Sequence, residues 1–273
     1  MSGLPGPVTA DGVAGLDALL AAPAGALIGS DFDGTLAPIV PDPGAAFAHP
    51  GAIAALRRLA GSVGTLAIIT GRPVEEAVRL GGLADVPGLI VLGHYGWERW
   101  ENGHVSAPPP PPGVATVRRD LPGVLESAGA PEGTRIEDKG HALAVHTRRA
   151  ADPEAALARL RAPLATLAAG AGLTVEPGRM VIELRPPGKD KGAALTELVA
   201  ERDARSVMFC GDDLGDLPAF AAIRALRAAG TPGLAVCSAS PESAIPQKEA
   251  DLIVDGPDGV AALLTVIADR VAR

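Results

Sequence analysis

Residues 26–36 read Ala26-Leu27-Ile28-Gly29-Ser30-Asp31-Phe32-Asp33-Gly34-Thr35-Leu36, and this stretch decides the fold. Its first four residues are apolar or small and uncharged, which is the pattern of a strand buried on both faces of a parallel sheet. Two carboxylates, one residue apart, follow where that strand should end. In an open parallel sheet ligands bind in the crevice outside the carboxyl ends of the strands. Asp31 and Asp33 can therefore point into one crevice, where uncompensated like charges are unfavourable. A hard cation such as Mg²⁺ is the natural remedy, because it neutralises carboxylate and phosphate oxygens together. Gly34 allows a turn that a side chain would obstruct and is counted with the groups lining the substrate. A plain Asx turn with a helix cap would use the same residues, so the pair needs support from elsewhere in the chain.

That support comes from a second acidic cluster, Gly211-Asp212-Asp213-Leu214-Gly215-Asp216, which follows the apolar run Val207 to Cys210 in the same manner. Parallel neighbouring strands would bring both clusters to one sheet edge. Two further segments fit a phosphate site: Ile68-Ile69-Thr70-Gly71-Arg72 after a third strand, and Lys191-Gly192 at the start of a helix. A hydroxyl, a cation and helix N-terminal amides can together hold phosphoryl oxygens.

Other Val-, Ile- and Leu-rich runs recur at Thr65 to Ile69, Leu89 to Leu92, Leu234 to Val236 and Leu252 to Val254. Helical spacing marks Ile53 to Leu59, Val74 to Leu80, Ala193 to Val199, Leu217 to Leu226 and Val260 to Val271. Alternation of strand and helix predicts an α/β protein with a doubly wound, Rossmann-like parallel sheet. The rhythm breaks at Pro108 to Pro112 and Gly113, read as an extended spacer and a domain boundary. Beyond it the pattern predicts a helix near Val114 to Leu125, strands at Thr134 to Glu137 and Ala142 to Thr147, and a helix at Pro153 to Leu167. Strands at Leu173 to Glu176 and Met180 to Leu184 follow, with Pro177-Gly178 as their turn. A small sheet covered on one face by two helices is expected. Residues 1–107 and 187–273 then form the core, and 108–186 an inserted smaller α/β cap domain.

A length of 273 residues suits one large domain plus a smaller one. With 47% hydrophobic but only 3% aromatic residues, the core must be built from Ala, Val, Leu and Ile. The formal charge of -8 argues against general nucleic-acid binding, which needs clustered Lys and Arg. No apolar run reaches the roughly 20 residues needed to span a bilayer, which excludes a transport ATPase, and no basic leader precedes the N-terminal apolar stretch. A soluble, cytoplasmic protein is expected. Cys210 and Cys237 are read as buried core thiols rather than a disulfide.

The order of the four segments resembles the haloacid dehalogenase superfamily of phosphohydrolases: Asp31 to Thr35, Thr70, Lys191, and Gly211 to Asp216. The resemblance implies that Asp31 is the nucleophile and Asp33 the general acid and base, with Thr70 and Lys191 completing the catalytic set. It also implies that Asp31, the Asp33 carbonyl and Asp212 bind Mg²⁺, with Asp216 supporting. Further stretches look like the trehalose-6-phosphate phosphatases in that superfamily: Thr70-Gly71-Arg72, Gly93-His94-Tyr95-Gly96, Val145-His146-Thr147-Arg148 and Gly178 to Pro186. That likeness implies a sugar phosphate as substrate, with Glu137, Lys139, Arg148, Glu176, Arg179 and Glu183 of the cap gripping the distal sugar and Arg72 and His94 nearer the core. His94 equally suits a loop histidine at the core edge. Departures are Gly215-Asp216-Leu217, where the family often has Thr-Asp-Glu, and Thr147, where it usually has Tyr. The alternatives are a phosphatase for another sugar phosphate or phosphoglycoside, and a catalytically idle sensor. No protein partner is inferable.

Overall fold

The computed structural model describes residues 6–178, 180–240 and 244–272. Three apolar runs form fully buried parallel strands, β1 (Ala26–Ser30), β2 (Thr65–Ile69) and β3 (Leu89–Gly93). Helix α1 (Ala10–Ala21) precedes β1, and α2 (Pro50–Leu59) and α3 (Val74–Gly81) connect the three strands. The chain then adds an antiparallel hairpin, β4 (Glu98–Glu101) and β5 (His104–Ser106), before leaving this unit. It returns through α6 (Lys191–Glu201), β10 (Ser206–Gly211), α7 (Leu217–Ala228), β11 (Gly233–Ala239), α8 (Ala244–Glu249), β12 (Leu252–Asp255) and α9 (Gly256–Val271). The eight strands run in the order β12-β11-β10-β1-β2-β3-β4-β5. β1 pairs in parallel with β10 on one side and β2 on the other, so the strand order reverses between β1 and β10, where this class of sheet binds ligands.

The sheet is doubly wound, as expected. Leu19, Leu56, Leu80 and Ile267, from α1, α2, α3 and α9, pack with Ile28 and Ile68 on one face. Leu195, Leu198, Phe220 and Ile223, from α6 and α7, pack with Leu27, Ile69 and Phe209 on the other. Cys210 belongs to the first layer and Cys237 to the second, and both are buried. Side chains on opposite faces of a sheet cannot be bridged without backbone movement. Among the described residues, no helix is long and apolar enough to cross a membrane.

Residues Pro108–Lys189 form a second compact unit. Its antiparallel sheet has the order β6 (Arg135–Asp138), β7 (Leu143–His146), β9 (Val181–Arg185) and β8 (Thr174–Gly178). Helices α4 (Pro112–Ser127) and α5 (Pro153–Gly170) cover one face, where Val117, Leu121, Leu160 and Leu164 meet Leu143, Val145, Ile182 and Leu184.

Local differences from expectation have local causes. Pro112 and Gly113 open α4 rather than extending the proline spacer, because the fixed φ of proline suits the first helical turn. Pro177 and Gly178 belong to β8 instead of forming the turn. Helix α1 and the β4–β5 hairpin were not anticipated: α1 has little contrast between its faces, and the short β5 is wholly exposed.

Candidate active site

Asp31 leaves β1 with its N–H donating to the Cys210 carbonyl of β10 at 2.8 Å, so the nucleophile candidate is tied to the strand that delivers the second acidic cluster. Helix α6 begins at Lys191 because Asp190 caps it, its carboxylate accepting from the Ala193 N–H at 2.8 Å. That start aims the Lys191 ammonium between Asp31 Oδ1 at 2.9 Å and Asp216 Oδ1 at 2.7 Å. Asp216 accepts the Asp212 and Asp213 N–H groups on its other oxygen, at 2.9 and 3.1 Å. Thr35 donates its hydroxyl to Asp212 Oδ1 at 3.2 Å. Gly34 sits at φ +74°, and a Cβ there would lie 2.0 Å from Asp212 Oδ2, so the turn after β1 accommodates only glycine beside that carboxylate. Ser238, from β11, donates to the Gly34 carbonyl at 2.7 Å and fixes the turn from the far side.

Oxygens of Asp31, Asp212 and Asp216 lie within 4.8 Å of one another, and all three residues are buried. Burial is the main cause that pushes the Asp31 and Asp212 carboxyls upward, the latter to about 8, and neighbouring carboxylates add to it. Burial also raises Asp216, against the pull of Lys191. Burial would lower Lys191, but Asp216 and Asp31 outweigh it and hold the ammonium protonated. One cation, paired with two of the three buried carboxylates, leaves the group short of positive charge. A divalent ion with oxygen ligands fits that deficit. Asp216 already accepts three donors, which suits it to support rather than to primary ligation.

Asp33 turns away from this group. Arg72 donates to both of its oxygens, Nε to Oδ2 and Nη2 to Oδ1, each at 2.7 Å. Arg72 also donates to Glu76 at 2.6 Å and to the Pro43 carbonyl at 3.0 Å. Its partners in the structure are the two carboxylates and one main-chain carbonyl. Any metal role for Asp33 rests on its main-chain carbonyl, since its carboxylate lies outside the acidic group. Thr70 is buried at the end of β2 and accepts the Arg72 N–H at 3.2 Å, which leaves its hydroxyl proton for donation. His94 is only 2% exposed, with Nε2 3.5 Å from Glu98 Oε1. Glu98 also caps the start of α3 through the Val74 N–H at 2.9 Å.

In the second unit the sheet face away from the helices carries a cross-strand row, Glu137, Ala144, Glu183 and Glu176. Each glutamate has a basic partner: His146 for Glu137 at 2.7 Å, Lys139 for Glu183 at 2.9 Å and Arg185 for Glu176 at 2.8 Å. Arg148 is exposed in the turn after β7. Arg179 lies outside the described residues. Sequence reasoning missed Ser238 and Glu76, and gave no separate role to Thr35, His146 and Arg185, which lie within the stretches that carry the resemblance. Only Glu76 carried a usable signal, its spacing of four residues from Arg72 on a helix start.

A model of the trehalose-phosphatase family matches residues 30–251. A Mycobacterium tuberculosis protein described as an uncharacterized glycosyl hydrolase is 38% identical over 209 residues, 71% of this chain but 15% of that protein. A trehalose-phosphate phosphatase of Mycobacterium avium is 31% identical over 251 residues, 89% of this chain and 62% of its own length. The chain therefore spans less than two thirds of these curated relatives. The crystal structure of a trehalose-6-phosphate phosphatase related protein superposes with a TM-score of 0.69 at 25% identity, covering 89% of this chain and 97% of that one.

Proposed function

Because this chain belongs to the trehalose-phosphatase family, we propose that it hydrolyses trehalose 6-phosphate to trehalose and inorganic phosphate through a phospho-aspartate on Asp31. The observation that carries the reading is the Asp31 carboxylate held 2.9 Å from the Lys191 ammonium at the carboxyl edge of β1, with the oxygens of Asp212 and Asp216 within 4.8 Å.

Asp31 attacks phosphorus through a carboxylate oxygen as the bond from phosphorus to the sugar oxygen breaks, and the leaving oxygen takes a proton from Asp33. In the second half-reaction water attacks phosphorus, Asp33 takes its proton, and Asp31 departs as carboxylate. Lys191 and the hydroxyl of Thr70 reduce the repulsion between anions and orient the phosphoryl oxygens. Asp31, Asp212 and the Asp33 carbonyl, with Asp216 behind them, would hold a magnesium ion, which would supply further positive charge. We assign recognition of the distal sugar to residues 108–186. The paired glutamates of the row support this, since charged groups make directional bonds with sugar hydroxyls. A small soluble substrate suits a cytoplasmic enzyme.

The test is phosphate release by purified protein with Mg²⁺ on trehalose 6-phosphate, glucose 6-phosphate, sucrose 6-phosphate and an aryl phosphate. Preference for trehalose 6-phosphate, lost on chelation, is expected. Turnover of another substrate alone would keep the Asp31 chemistry and overturn the sugar.

A further inference from the structure

Arg72 stands beside the carboxylate that must both give and take a proton, yet the site described so far gives it no role in the reaction. Its guanidinium is fixed from four directions. Two donors fork onto the Asp33 oxygens at 2.7 Å each, a third reaches Glu76 at 2.6 Å, and Nη2 also meets the Pro43 carbonyl at 3.0 Å. The guanidinium carbon lies 5.6 Å from the centre of the Phe32 ring. The Arg72 side chain is 10% exposed, whereas that of Asp33 is 34% exposed. The more exposed partner is therefore the carboxylate, and the buried partner is the arginine.

We infer that Arg72 is a positioning residue that holds the Asp33 carboxylate in one orientation through both half-reactions. The inference rests on the phospho-aspartate reading above. A carboxylate has about four lone-pair sites, so a two-pronged donor leaves sites for the travelling proton while removing rotation about the carboxyl bond. Proton transfer is sensitive to such placement, with general acid–base catalysis contributing about 10²–10⁴-fold and a misplacement of about 1 Å costing about 10²-fold. The clamp is built across the sheet, from the end of β2 and the start of α3 onto the loop after β1, so it also fixes that loop.

The competing role, reading the sugar, makes different kinetic demands. The experiment compares wild type, Arg72→Ala, Arg72→Lys and Glu76→Gln on trehalose 6-phosphate and on 4-nitrophenyl phosphate, whose leaving group departs with little protonation. With Arg72→Ala, kcat should fall about 10²-fold on both substrates with KM little changed. Nitrophenol should appear in a burst equal to the enzyme, and acid quench should trap phosphorylated Asp31, because water attack still needs Asp33 as base. Added guanidinium ion should restore part of the rate. Glu76→Gln, which keeps the arginine, should show a smaller loss of the same kind and covers the case in which Arg72→Ala does not fold. A rise in KM for trehalose 6-phosphate alone, with nitrophenyl phosphate turnover intact and no phosphoenzyme, would overturn the clamp and make Arg72 a sugar reader. If wild type cleaves only nitrophenyl phosphate, the sugar assignment fails while the clamp is still decided on that substrate.

Discussion

A methyl group at position 34 would meet Asp212 Oδ2 at 2.0 Å and would have to be carried at φ +74°. The left-handed backbone costs a non-glycine residue about 1–2 kcal/mol, which for a chain of this size lowers the melting temperature by only several degrees. Displacing the Asp212 carboxylate is the larger effect on function, so Gly34→Ala should lose about 10²-fold in phosphate release while remaining folded. Thermal melting and a phosphate assay on one preparation check both parts. The shared ammonium leads to a pair of opposite expectations. Asp31→Asn should abolish turnover but removes one of three crowded carboxylates, so its melting temperature in chelator should equal or exceed that of wild type. Lys191→Met strands buried charge and should cost about 3–5 kcal/mol. The aspartates were legible because their positions after apolar strands need only local pattern. Two of the partners of Arg72 were not, since Pro43 and Phe32 reach it by folding and not by spacing.

Among the elements, α6 shows how a cap aims a functional group. Asp190→Ala removes the acceptor for the Ala193 N–H and should cost about 1 kcal/mol. Because Lys191 is the first helical residue, fraying there should lower kcat disproportionately, which a comparison of kcat with chemical denaturation would show. The parallel strands were legible as uninterrupted apolar runs. Helix α1 escaped notice because its fit depends on glycine rather than on an apolar stripe. A Cβ on Gly15 would lie 1.9 Å from the Gly233 carbonyl, so the helix rests directly on β11. The hairpin β4–β5 escaped because its alternating face buries only Trp100.

At the scale of the molecule, Asp251 joins distant parts of the first unit. Its carboxylate accepts from Thr9 before α1, from Arg227 of α7 and from the Ala235 N–H of β11. Burial alone would raise its pKa, but these donors together hold it below the usual carboxylate value. A depressed folded-state pKa contributes stability that is present above about pH 4 and lost as pH falls through the folded value. Asp251→Asn should therefore be destabilised at pH 7, and its deficit against wild type should shrink by pH 3, as melting curves across that range would record. The second unit has its own buried core between two helices and four strands. Residues 108–189 expressed alone should melt cooperatively, with the modest stability of about 3–5 kcal/mol usual for so small a core. Its presence was legible from the prolines and the change of rhythm. Which proline opens α4 was not, because proline serves a spacer and a helix start equally well.

The pairing of β1 with β10 brings Thr35 to Asp212 across 177 positions of sequence. During synthesis Asp31 emerges long before the strand and the lysine that complete its surroundings. A nascent chain therefore carries Asp31 without its neighbours until residues 191–216 have left the ribosome, and contacts so distant in sequence close slowly. Catalytic competence should consequently appear late and all at once on refolding, in step with closure of the sheet between its two halves rather than with the earlier gain of helix.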